Sequence, residues 1–327
     1  MRVLQVIGGR KPQPTERQNV FVHRQVSSLR PLIPDMDIIY AGLGSSPRDM
    51  ISLYRKLRRA IRAFNPDVIH AQYGTVTGAV SVMASKGIPT VVSYGGSEIY
   101  GTYINELRTA AARRFSMFAA RRAAVCIAKN AENREALQKW GAKRVEDVPN
   151  GINLNLFREL NQQACRTQLR LSPAKQYIVF AVRDGAYVKR RDLAEEAVKL
   201  CNLGGSTKVE LLILDKVAPD LIPVYLNAGN ALLLCSNHEG SPNIVKEALA
   251  CSRPIVSTDV GDVRERFGAV TGLFLVGKTP QEIAEGLTEA LKLNRSNGRQ
   301  FVAHLSEEVV AKQLVDLYQS TLRVDSI

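Results

Sequence analysis

The sequence lacks any long hydrophobic run. None of its apolar stretches approaches the ~18 residues that a membrane-spanning helix needs. The first apolar segment, MRVLQVI at residues 1–7, is too short to be a signal peptide and predicts a β-strand instead. We therefore expect a cytoplasmic protein with no segment that crosses a membrane.

Cysteine is scarce and scattered. The five cysteines are odd in number and lie mostly inside apolar segments: Cys126, Cys165, Cys201, Cys235 and Cys251. A disulfide framework or a zinc site would need paired, closely spaced cysteines. We expect reduced, buried thiols.

Acidic residues are few in the first half of the chain. Residues 1–165 hold 24 Lys+Arg against 12 Asp+Glu, whereas residues 166–327 hold 20 against 19. Nearly all of the net charge of +13 therefore belongs to the first half. This asymmetry favours an anionic partner for that half, whether a membrane, a nucleic acid or a phosphorylated acceptor.

Two binding signals are also absent. No predicted strand is followed by Gly-x-Gly-x-x-Gly, which argues against a dinucleotide-dependent dehydrogenase. Aromatic residues make up 6% of the chain, and no nucleic-acid-binding motif or aromatic platform for bases is present. Nucleic acid is therefore not an expected partner.

The sequence does contain a regular alternation of predicted strands and helices. The alternation pauses at a polar segment, residues 158–173, and restarts with a strand at residues 177–182. Such alternation is typical of parallel, doubly wound sheets, and 327 residues exceed one typical core. We predict an α/β protein with two Rossmann-like domains that face each other across a cleft. They are residues 1–165 and 166–305, and a C-terminal helix at 306–327 could pack back on the first domain.

The densest functional signal lies at residues 231–266. A buried strand is predicted at residues 231–235, and Glu239 follows it in a turn. Helical spacing begins at Asn243, which places Glu247 in the early turns of a helix. Two carboxylates would then flank the N–H groups at a helix start. This arrangement can hold a phosphorylated ligand by its hydroxyls and its charge together.

Several motifs in this and other segments resemble those of one enzyme family. Glu239 and Glu247 match a Glu-x7-Glu element, and NGIN at residues 150–153 with Phe157 matches the element that closes a first domain. The segments PDVIHA at 66–71 and KRRDLA at 189–194 match a first-domain strand and the site of a pyrophosphate-binding lysine. Over nearly its whole length the chain resembles retaining GT-B glycosyltransferases of family 4, which use nucleotide-sugar donors.

The resemblance implies roles on the donor side. Glu239 would contact the hydroxyls of the donor sugar, and Glu247 would bind the nucleotide ribose. Lys189 would supply a cation to the leaving diphosphate, unless residues 189–191 form only a solvated loop. Further donor-binding residues would be Gly240, Ser241, Pro242, Asn243 and Ile244, with Arg190 and Arg183 as alternative cations. The spacing from Arg183 to Lys189 is one residue longer than is usual in the family.

No metal or other cofactor is expected. Asp35-Met36-Asp37 has the Asp-x-Asp pattern of metal-dependent transferases of another fold, but it opens the second strand, far in topology from the donor helix. GT-B enzymes generally need no divalent ion for their chemistry.

The acceptor side departs from the family. Many members carry a histidine after the fourth strand, and Gly95 stands in its place here. Gly95 and Gly96 would let the backbone approach a ligand closely, and Glu98 could bind an acceptor hydroxyl. Gly8 and Gly9 end the first strand. His70 could either line the cleft or be a core histidine.

A basic amphipathic segment suggests where the acceptor is met. In residues 51–64, apolar residues fill one half of the helix circumference and five basic residues fill the other. This helix could lie on an anionic bilayer or pack its apolar half on the sheet. The basic residues are Arg55, Lys56, Arg58, Arg59 and Arg62.

These signals predict a retaining glycosyltransferase. It would move a sugar from a nucleotide-diphosphate sugar to a lipid-linked or otherwise anionic glycan acceptor in cell-surface glycan synthesis, at the inner face of the plasma membrane. Two alternatives remain at this point: a nucleotide-sugar epimerase of the same fold, and a catalytically silent nucleotide-sugar-binding module.

Overall fold

The chain folds into two compact units. A computed structural model describes residues 1–11, 20–42, 44, 46–101, 106–182, 186–204 and 208–324. Unit 1 comprises Met1–Gly151 and Glu307–Ile327, and unit 2 comprises Ile152–Ser306. The division after Gly151 lies earlier in the chain than the domain limit predicted after residue 165.

Unit 1 is built on a six-stranded parallel sheet. Its strands are β1 (Val3–Ile7), β2 (Met36–Tyr40), β3 (Val68–Gln72), β4 (Thr90–Ser93), β5 (Val125–Ala128) and β6 (Val145–Asp147). Its first helices are α1 (Val20–Leu29), α2 (Pro47–Phe64), α3 (Ala79–Ala84), α4 (Ser97–Tyr100), α5 (Glu106–Arg122) and α6 (Ala131–Lys139), with a π-helical turn at Gly74–Gly78. The strand order β2-β1-β3-β4-β5-β6 reverses direction between β1 and β3.

Strand β1 shows why this sheet is covered on both faces. All five of its residues are buried. Leu4 and Val6 pack into one hydrophobic core, and Val3 and Ile7 pack into another. Because successive side chains of a strand point to opposite faces, an unbroken apolar run requires helices above and below the sheet.

Unit 2 repeats this plan around a five-stranded parallel sheet. Its strands are β7 (Gln176–Ala181), β8 (Val209–Leu214), β9 (Ala231–Leu234), β10 (Ile255–Thr258) and β11 (Leu273–Val276). Its helices are α7 (Gln162–Gln168), α8 (Ala186–Lys189), α9 (Arg191–Gly204), α10 (Ile222–Ala228), α11 (Asn243–Ala250), α12 (Val263–Phe267), α13 (Pro280–Lys292) and α14 (Gly298–Val302), and a 3-10 turn follows at Ala303–Leu305. The strand order β11-β10-β9-β7-β8 reverses between β9 and β7. The predicted fold class, with two Rossmann-like parallel-sheet domains, is confirmed.

The last helix, α15 (Glu307–Val324), belongs to unit 1 although the chain reaches it from unit 2. Its buried residues Val310, Leu314 and Leu317 pack with Val3 and Ile7 of β1. The helix therefore completes one of the two cores of the unit 1 sheet.

Helix α2 packs its apolar half against the sheet. A capping box of Ser46 and Asp49 starts the helix, and Asn65 ends it in a left-handed conformation. The buried residues Leu53, Leu57 and Ile61 lie in a unit 1 core. That apolar half is thus used inside the protein and is not free to lie on a bilayer. Within the described residues, no helix has both the length and the hydrophobicity to cross a membrane.

The polar segment at residues 158–173 is an ordered part of unit 2. Asn161 caps helix α7 by accepting the Ala164 N–H, at 2.9 Å. The Arg166 guanidinium is buried and donates to the Ala228 carbonyl oxygen, at 3.0 Å, and to Asn230 Oδ1, at 2.8 Å. These bonds bind α7 to unit 2, which is why that unit begins before residue 166.

Candidate active site

The carboxyl edge of the unit 2 sheet brings together two loops that are distant in sequence. One loop follows β7 and contains α8, and the other joins β9 to α11. These two strands are neighbours at the point where the strand order reverses. In open parallel sheets, ligands bind in the crevice outside the carboxyl ends of the strands at such a point. The loops touch directly, since the Asn237 N–H donates to the Val188 carbonyl oxygen at 2.8 Å.

Lys189 and Glu239 meet at this edge. Lys189 Nζ lies 2.5 Å from Glu239 Oε1, and the Ser236 hydroxyl donates to the same oxygen at 2.7 Å. Their side chains retain 20% and 17% of their exposure, so both are sheltered yet reachable. A solvated-loop role for Lys189 does not fit this geometry. The two residues predicted to be catalytic lie in contact, although fifty positions separate them.

The alternative cations differ in their surroundings. Arg190 adopts a left-handed backbone conformation, and its guanidinium binds Asp192, with Nη2 at 2.7 Å from Oδ2. That bond is the main reason why the pKa of Asp192 is below its ordinary value. Arg183 lies outside the residues that the structure describes. Among the described cation candidates, Lys189 is the one in contact with Glu239.

Helix α11 begins directly after the Glu239 turn. Pro242 precedes its first residue, Asn243, and Ile244 follows in the first turn. The N–H groups of a first turn have no partner within the helix and attract anions. Glu247 is half-buried further along the helix. The backbones of Gly240 and Gly261 are packed closely together. A Cβ atom added at Gly261 would lie only 2.7 Å from the Gly240 carbonyl oxygen.

Ser241 turns its hydroxyl inward, away from the position expected for a ligand contact. The hydroxyl donates to Asp262 Oδ2 at 2.7 Å and accepts from Lys246 Nζ at 3.0 Å. Arg266 Nε also donates to Asp262 Oδ2, at 2.9 Å. Burial lowers the pKa of Lys246 to about 8 and raises the pKa of Asp262. Only the backbone of Ser241 remains available to a ligand.

The corresponding edge of unit 1 is lined by small residues around Tyr73. Gly8 follows β1, and a Cβ atom there would lie 3.4 Å from Thr77 Oγ1 and 3.6 Å from the Tyr73 ring. A Cβ atom at Gly95 would lie 3.2 Å from that ring, so a larger residue at Gly95 would press on it. Gly9 exchanges two backbone hydrogen bonds with Gly42. Gly8 and Gly95 therefore lie together, as residues of one acceptor-side surface would.

The buried Glu98 side chain stabilises the backbone at this edge of unit 1. Its carboxylate accepts the Gly74 N–H at 3.3 Å and the Gly95 N–H at 3.1 Å. Gly96 lies in the turn that these bonds close. The carboxylate is thus engaged with backbone groups, which supports a positioning role for Glu98 in place of direct binding of an acceptor hydroxyl.

His70 occupies the interior of unit 1. It is fully buried, and its ring nitrogens lie 2.6 Å from the Tyr318 hydroxyl and 2.8 Å from Ser93 Oγ. Burial, with a smaller contribution from the Lys129 charge, lowers the pKa of His70 to about 3. Of the two roles left open by the sequence, this geometry supports the core histidine.

Comparison with known proteins agrees with this arrangement in both units. Residues 5–156 match the family described as Glycosyltransferase Family 4, and residues 176–292 match Glycosyl transferases group 1. The chain belongs to the GT-B glycosyltransferases. A curated relative of this chain is a Bacillus subtilis protein named as a teichuronic acid biosynthesis glycosyltransferase, and the chain spans less than two thirds of the length of that relative. The two are 28% identical over 248 residues, which cover 69% of this chain and 62% of the relative.

Solved structures share the fold of this glycosyltransferase over its whole length. A sucrose-phosphate synthase from Thermosynechococcus elongatus has a TM-score of 0.75 at 18% identity, covering 99% of this chain and 100% of that chain. Anabaena HepE, in complex with UDP-glucose, has a TM-score of 0.75 at 16% identity, covering 98% and 100%. At such low identities the likeness establishes the fold alone.

Sequence reasoning missed four residues of this site. They are Ser236, which binds Glu239, and three charged residues around Ser241, of which Lys246 and Asp262 are buried and Arg266 is partly exposed. A signal for Lys246 exists, since a lysine follows Val245 and precedes Ala248 and Leu249 on a helix whose apolar face is buried. The partner of that lysine is visible only after folding.

Proposed function

We propose that this chain transfers a sugar from a nucleoside-diphosphate sugar, held by unit 2, to a lipid-linked or polysaccharide acceptor in cell-surface glycan synthesis. The observation that carries the proposal is the contact between Lys189 and Glu239 beside the start of α11, where the strand order of unit 2 reverses. It places a cation, a carboxylate and helix N–H groups around one crevice.

Each group answers a need of the transfer. As the bond between the anomeric carbon and the diphosphate breaks, negative charge grows on the diphosphate, and the Lys189 ammonium and the start of α11 stabilise that charge. Glu239 accepts hydrogen bonds from the sugar hydroxyls, and Glu247 from the ribose diol. Because a fixed lysine and a helix start supply the positive charge, we propose that no divalent metal is needed. Turnover should then persist in a chelator.

We propose that the anomeric configuration is retained. In this scheme the acceptor hydroxyl attacks the anomeric carbon on the face from which the diphosphate leaves. The hydroxyl proton passes to the departing phosphate oxygen, so that no side chain has to act as nucleophile. This part of the proposal rests on the resemblance to retaining family 4 enzymes. Product analysis by NMR distinguishes retention from inversion of the anomeric centre.

The charge of unit 1 supports an anionic acceptor. The residues of unit 1 hold 25 Lys+Arg against 15 Asp+Glu, whereas those of unit 2 hold 19 against 16. A lipid-linked glycan phosphate or an acidic polysaccharide would be attracted to such a surface. The B. subtilis relative is named for the synthesis of teichuronic acid, and the structural neighbour HepE was solved with UDP-glucose. The name of the relative favours an acidic glycan as product, and the complex of HepE favours a UDP-sugar donor.

We further propose reversible contact between α2 and an anionic membrane surface at the cytoplasmic side. With its apolar half buried, α2 presents a basic face to solvent, and that face lines an open groove of about 640 Å³. Ile51 is 52% exposed within this face. Clustered Lys and Arg side chains near an anionic bilayer each contribute ~1 kcal/mol. The basic face comprises Arg48, Arg55, Lys56 and Arg59.

The direct test is a donor panel. Purified protein is incubated with UDP-, GDP- and ADP-sugars, with and without a membrane extract that supplies acceptor, and free nucleoside diphosphate and labelled glycan are measured. We expect release from one class of donor that depends on the extract. An isomerised nucleotide sugar formed without any acceptor would identify an epimerase. Donor binding without turnover in every combination would identify a silent binding module, and either result would overturn the proposed transfer.

A further inference from the structure

Beneath the turn that contains Gly240 and Ser241 (the donor turn) lies a set of three charged side chains, two of them buried as deeply as the apolar core. Lys246 is 1% exposed and Asp262 is fully buried. They come from different elements, since Lys246 lies on α11 and Asp262 immediately precedes α12. Both bind the Ser241 hydroxyl, and Arg266 binds the Asp262 carboxylate. None of these three charged residues has a part in the transfer described above.

Stability alone is a weak explanation for this set. Removing two charges from water costs several kcal/mol per ion, and apolar residues of similar volume often stabilise a fold equally well or better. A buried ionic set instead fixes the geometry of its partners, because each hydrogen bond holds two groups at a defined distance and angle. Here the atom fixed from both sides is Ser241 Oγ. The set therefore acts on the turn that contains Ser241.

That turn is also held from a second direction. The Gly240 carbonyl oxygen packs against Gly261, which has a φ of +62°, a conformation that favours glycine over other residues. Gly261 directly precedes Asp262 in the chain. The segment before α12 therefore contacts the donor turn at two points. One is the backbone packing of Gly261 on Gly240, and the other is the hydrogen bond between Asp262 and Ser241. These contacts fix the direction in which the backbone N–H groups of the donor turn point.

We infer that Lys246 and Asp262 are positioning residues for the donor diphosphate, because they hold Ser241 and thereby orient the backbone N–H groups between Gly240 and Ile244. The inference rests on the proposed donor site in unit 2. The charged groups that face Lys246 are Asp262, Arg266 and Glu247, so the set spans both helices. In this proposal the charged set supports the residues that contact the donor and does not contact the donor itself.

The test separates donor positioning from folding. The variants Lys246→Met and Asp262→Asn each remove one charge with little change in volume, and Ser241→Ala removes the hydroxyl that links the set to the turn. UDP affinity is measured by calorimetry, and kcat and KM for the donor are measured by nucleoside diphosphate release. We expect KM and the Kd for UDP to rise about tenfold. We expect kcat to fall by a smaller factor, about threefold, because these N–H groups bind most of the diphosphate charge already in the ground state and only the added charge in the transition state.

Leu249→Ala is the matched control. Leu249 is fully buried on the same helix, so its truncation should lower the Tm of the protein without touching the polar set. We expect its KM and UDP affinity to equal those of the wild type despite a lower Tm. An increase in KM that merely follows the loss of Tm, seen equally in Leu249→Ala, would overturn the inference.

One further variant keeps the test decisive. A single substitution can leave an unpaired buried charge and prevent folding, so the double variant Lys246→Met/Asp262→Asn, which leaves neither charge, is measured as well. Ser241→Ala retains the Lys246–Asp262 pair. Wild-type KM and UDP affinity in a folded double variant or in Ser241→Ala would refute the positioning role. Absence of UDP binding and turnover in the wild type would instead refute the proposed function.

Discussion

Lys189 and Glu239 form an ion pair that a bound donor has to rearrange. Their charged atoms are 2.5 Å apart, and the Ser236 hydroxyl holds the carboxylate in place. A diphosphate entering beside the start of α11 offers the ammonium a second anionic partner. In the proposed function, the Ser236 hydrogen bond would then keep Glu239 near the sugar. The same pair can therefore keep each charge neutralised before the donor binds and supply separate contacts afterwards.

Substitutions of Lys189 and Glu247 should have different kinetic effects. Lys189→Ala removes a charge that acts mainly on the departing diphosphate, so kcat should fall by about 10²–10³. Glu247→Ala removes a ribose contact that is equal in the ground and transition states, so KM for the donor should rise with little change in kcat. Initial-rate kinetics over a range of donor concentrations measures both.

Lys175→Ala is the control for this pair of variants. It removes another ion pair of unit 2, between Lys175 and Glu210, at the start of β7 and away from the carboxyl edge. Its kinetic constants should equal those of the wild type. Normal kcat in Lys189→Ala together with normal KM in Glu247→Ala would refute the site assignment.

His70 gives unit 1 a pH dependence that can be measured. The pKa of His70 is about 3 in the folded protein because its ring is buried, against 6.5 in the unfolded chain. Below pH 6.5 the unfolded state takes up a proton that the folded state refuses. The contribution of His70 to stability is therefore complete above pH 6.5. It declines by about 1.4 kcal/mol for each pH unit as the pH falls towards 3.

Denaturant unfolding at pH 6.5 and pH 5.5 tests this expectation. The variant His70→Asn should be less stable overall, yet it should lose about 1 kcal/mol less than the wild type between these two pH values. His304→Asn, which removes an exposed histidine, should follow the wild type. Equal losses in His70→Asn and the wild type would show that His70 is not held in its neutral form.

Several residues of the site could be predicted because a local pattern marks them. Glu239 lies in the turn after an apolar strand, Glu247 on the helix that follows, and Lys189 in the KRRDLA segment, and each stands in a recognisable motif. The inward turn of Ser241 could not be predicted, since it depends on Lys246 and on Asp262, which is twenty-one positions away. Contacts of that kind are decided by tertiary packing.

At the scale of elements, the spacing of apolar residues predicts the buried strands and the long helices. A polar sequence suggests a linker, and this is wrong where the element is held by buried polar side chains. Helix α7 carries the sequence QQACRTQ, and its contact with unit 2 is made largely by the Arg166 guanidinium. Strand β11 pairs with β10 at the edge of its sheet and was absent from the predicted strands. Helix α7 has too few apolar residues to show helical spacing, and β11, although its sequence LFLV is wholly apolar, is too short for periodicity to identify it as a strand.

Helix α2 carries the prediction that belongs to this scale. Its basic face should bind vesicles that contain anionic lipid, weakly and reversibly, and the binding should weaken as salt is raised. Arg55→Glu/Arg59→Glu should reduce the partition coefficient by roughly 25-fold or more, at ~1 kcal/mol for each basic residue lost. Co-sedimentation with phosphatidylglycerol vesicles measures the effect, with phosphatidylcholine vesicles as the neutral comparison.

The control for α2 reverses two exposed lysines of unit 2, as Lys208→Glu/Lys292→Glu, which gives the same change in net charge. That variant should bind vesicles nearly as the wild type does. If the two variants lose binding equally, the attraction belongs to the net charge of the protein and the proposed role of α2 is wrong.

At the scale of the whole molecule, the two units share one feature of sheet topology but carry different residues beside it. Each sheet reverses its strand order once, between β1 and β3 in unit 1 and between β9 and β7 in unit 2. At the first position small residues surround Tyr73, whereas at the second an ion pair lies beside a helix start. The alternation of strands and helices predicts two such edges. In the proposed function, the ion pair and helix start that line the unit 2 edge make unit 2 the donor unit.

This division of labour makes a regional prediction for hydrogen exchange. Saturating UDP should slow amide exchange in the loop that contains Lys189 and at the start of α11, because a bound diphosphate occupies those N–H groups and stabilises the elements that hold it. The carboxyl edge of unit 1, around Gly8 and Tyr73, should exchange at its unliganded rate. Glu247→Ala, compared at the same UDP concentration, should show weaker protection in the same unit 2 segments. Protection centred on Gly8 and Tyr73 instead would place the nucleotide in unit 1 and reverse the assignment of donor and acceptor.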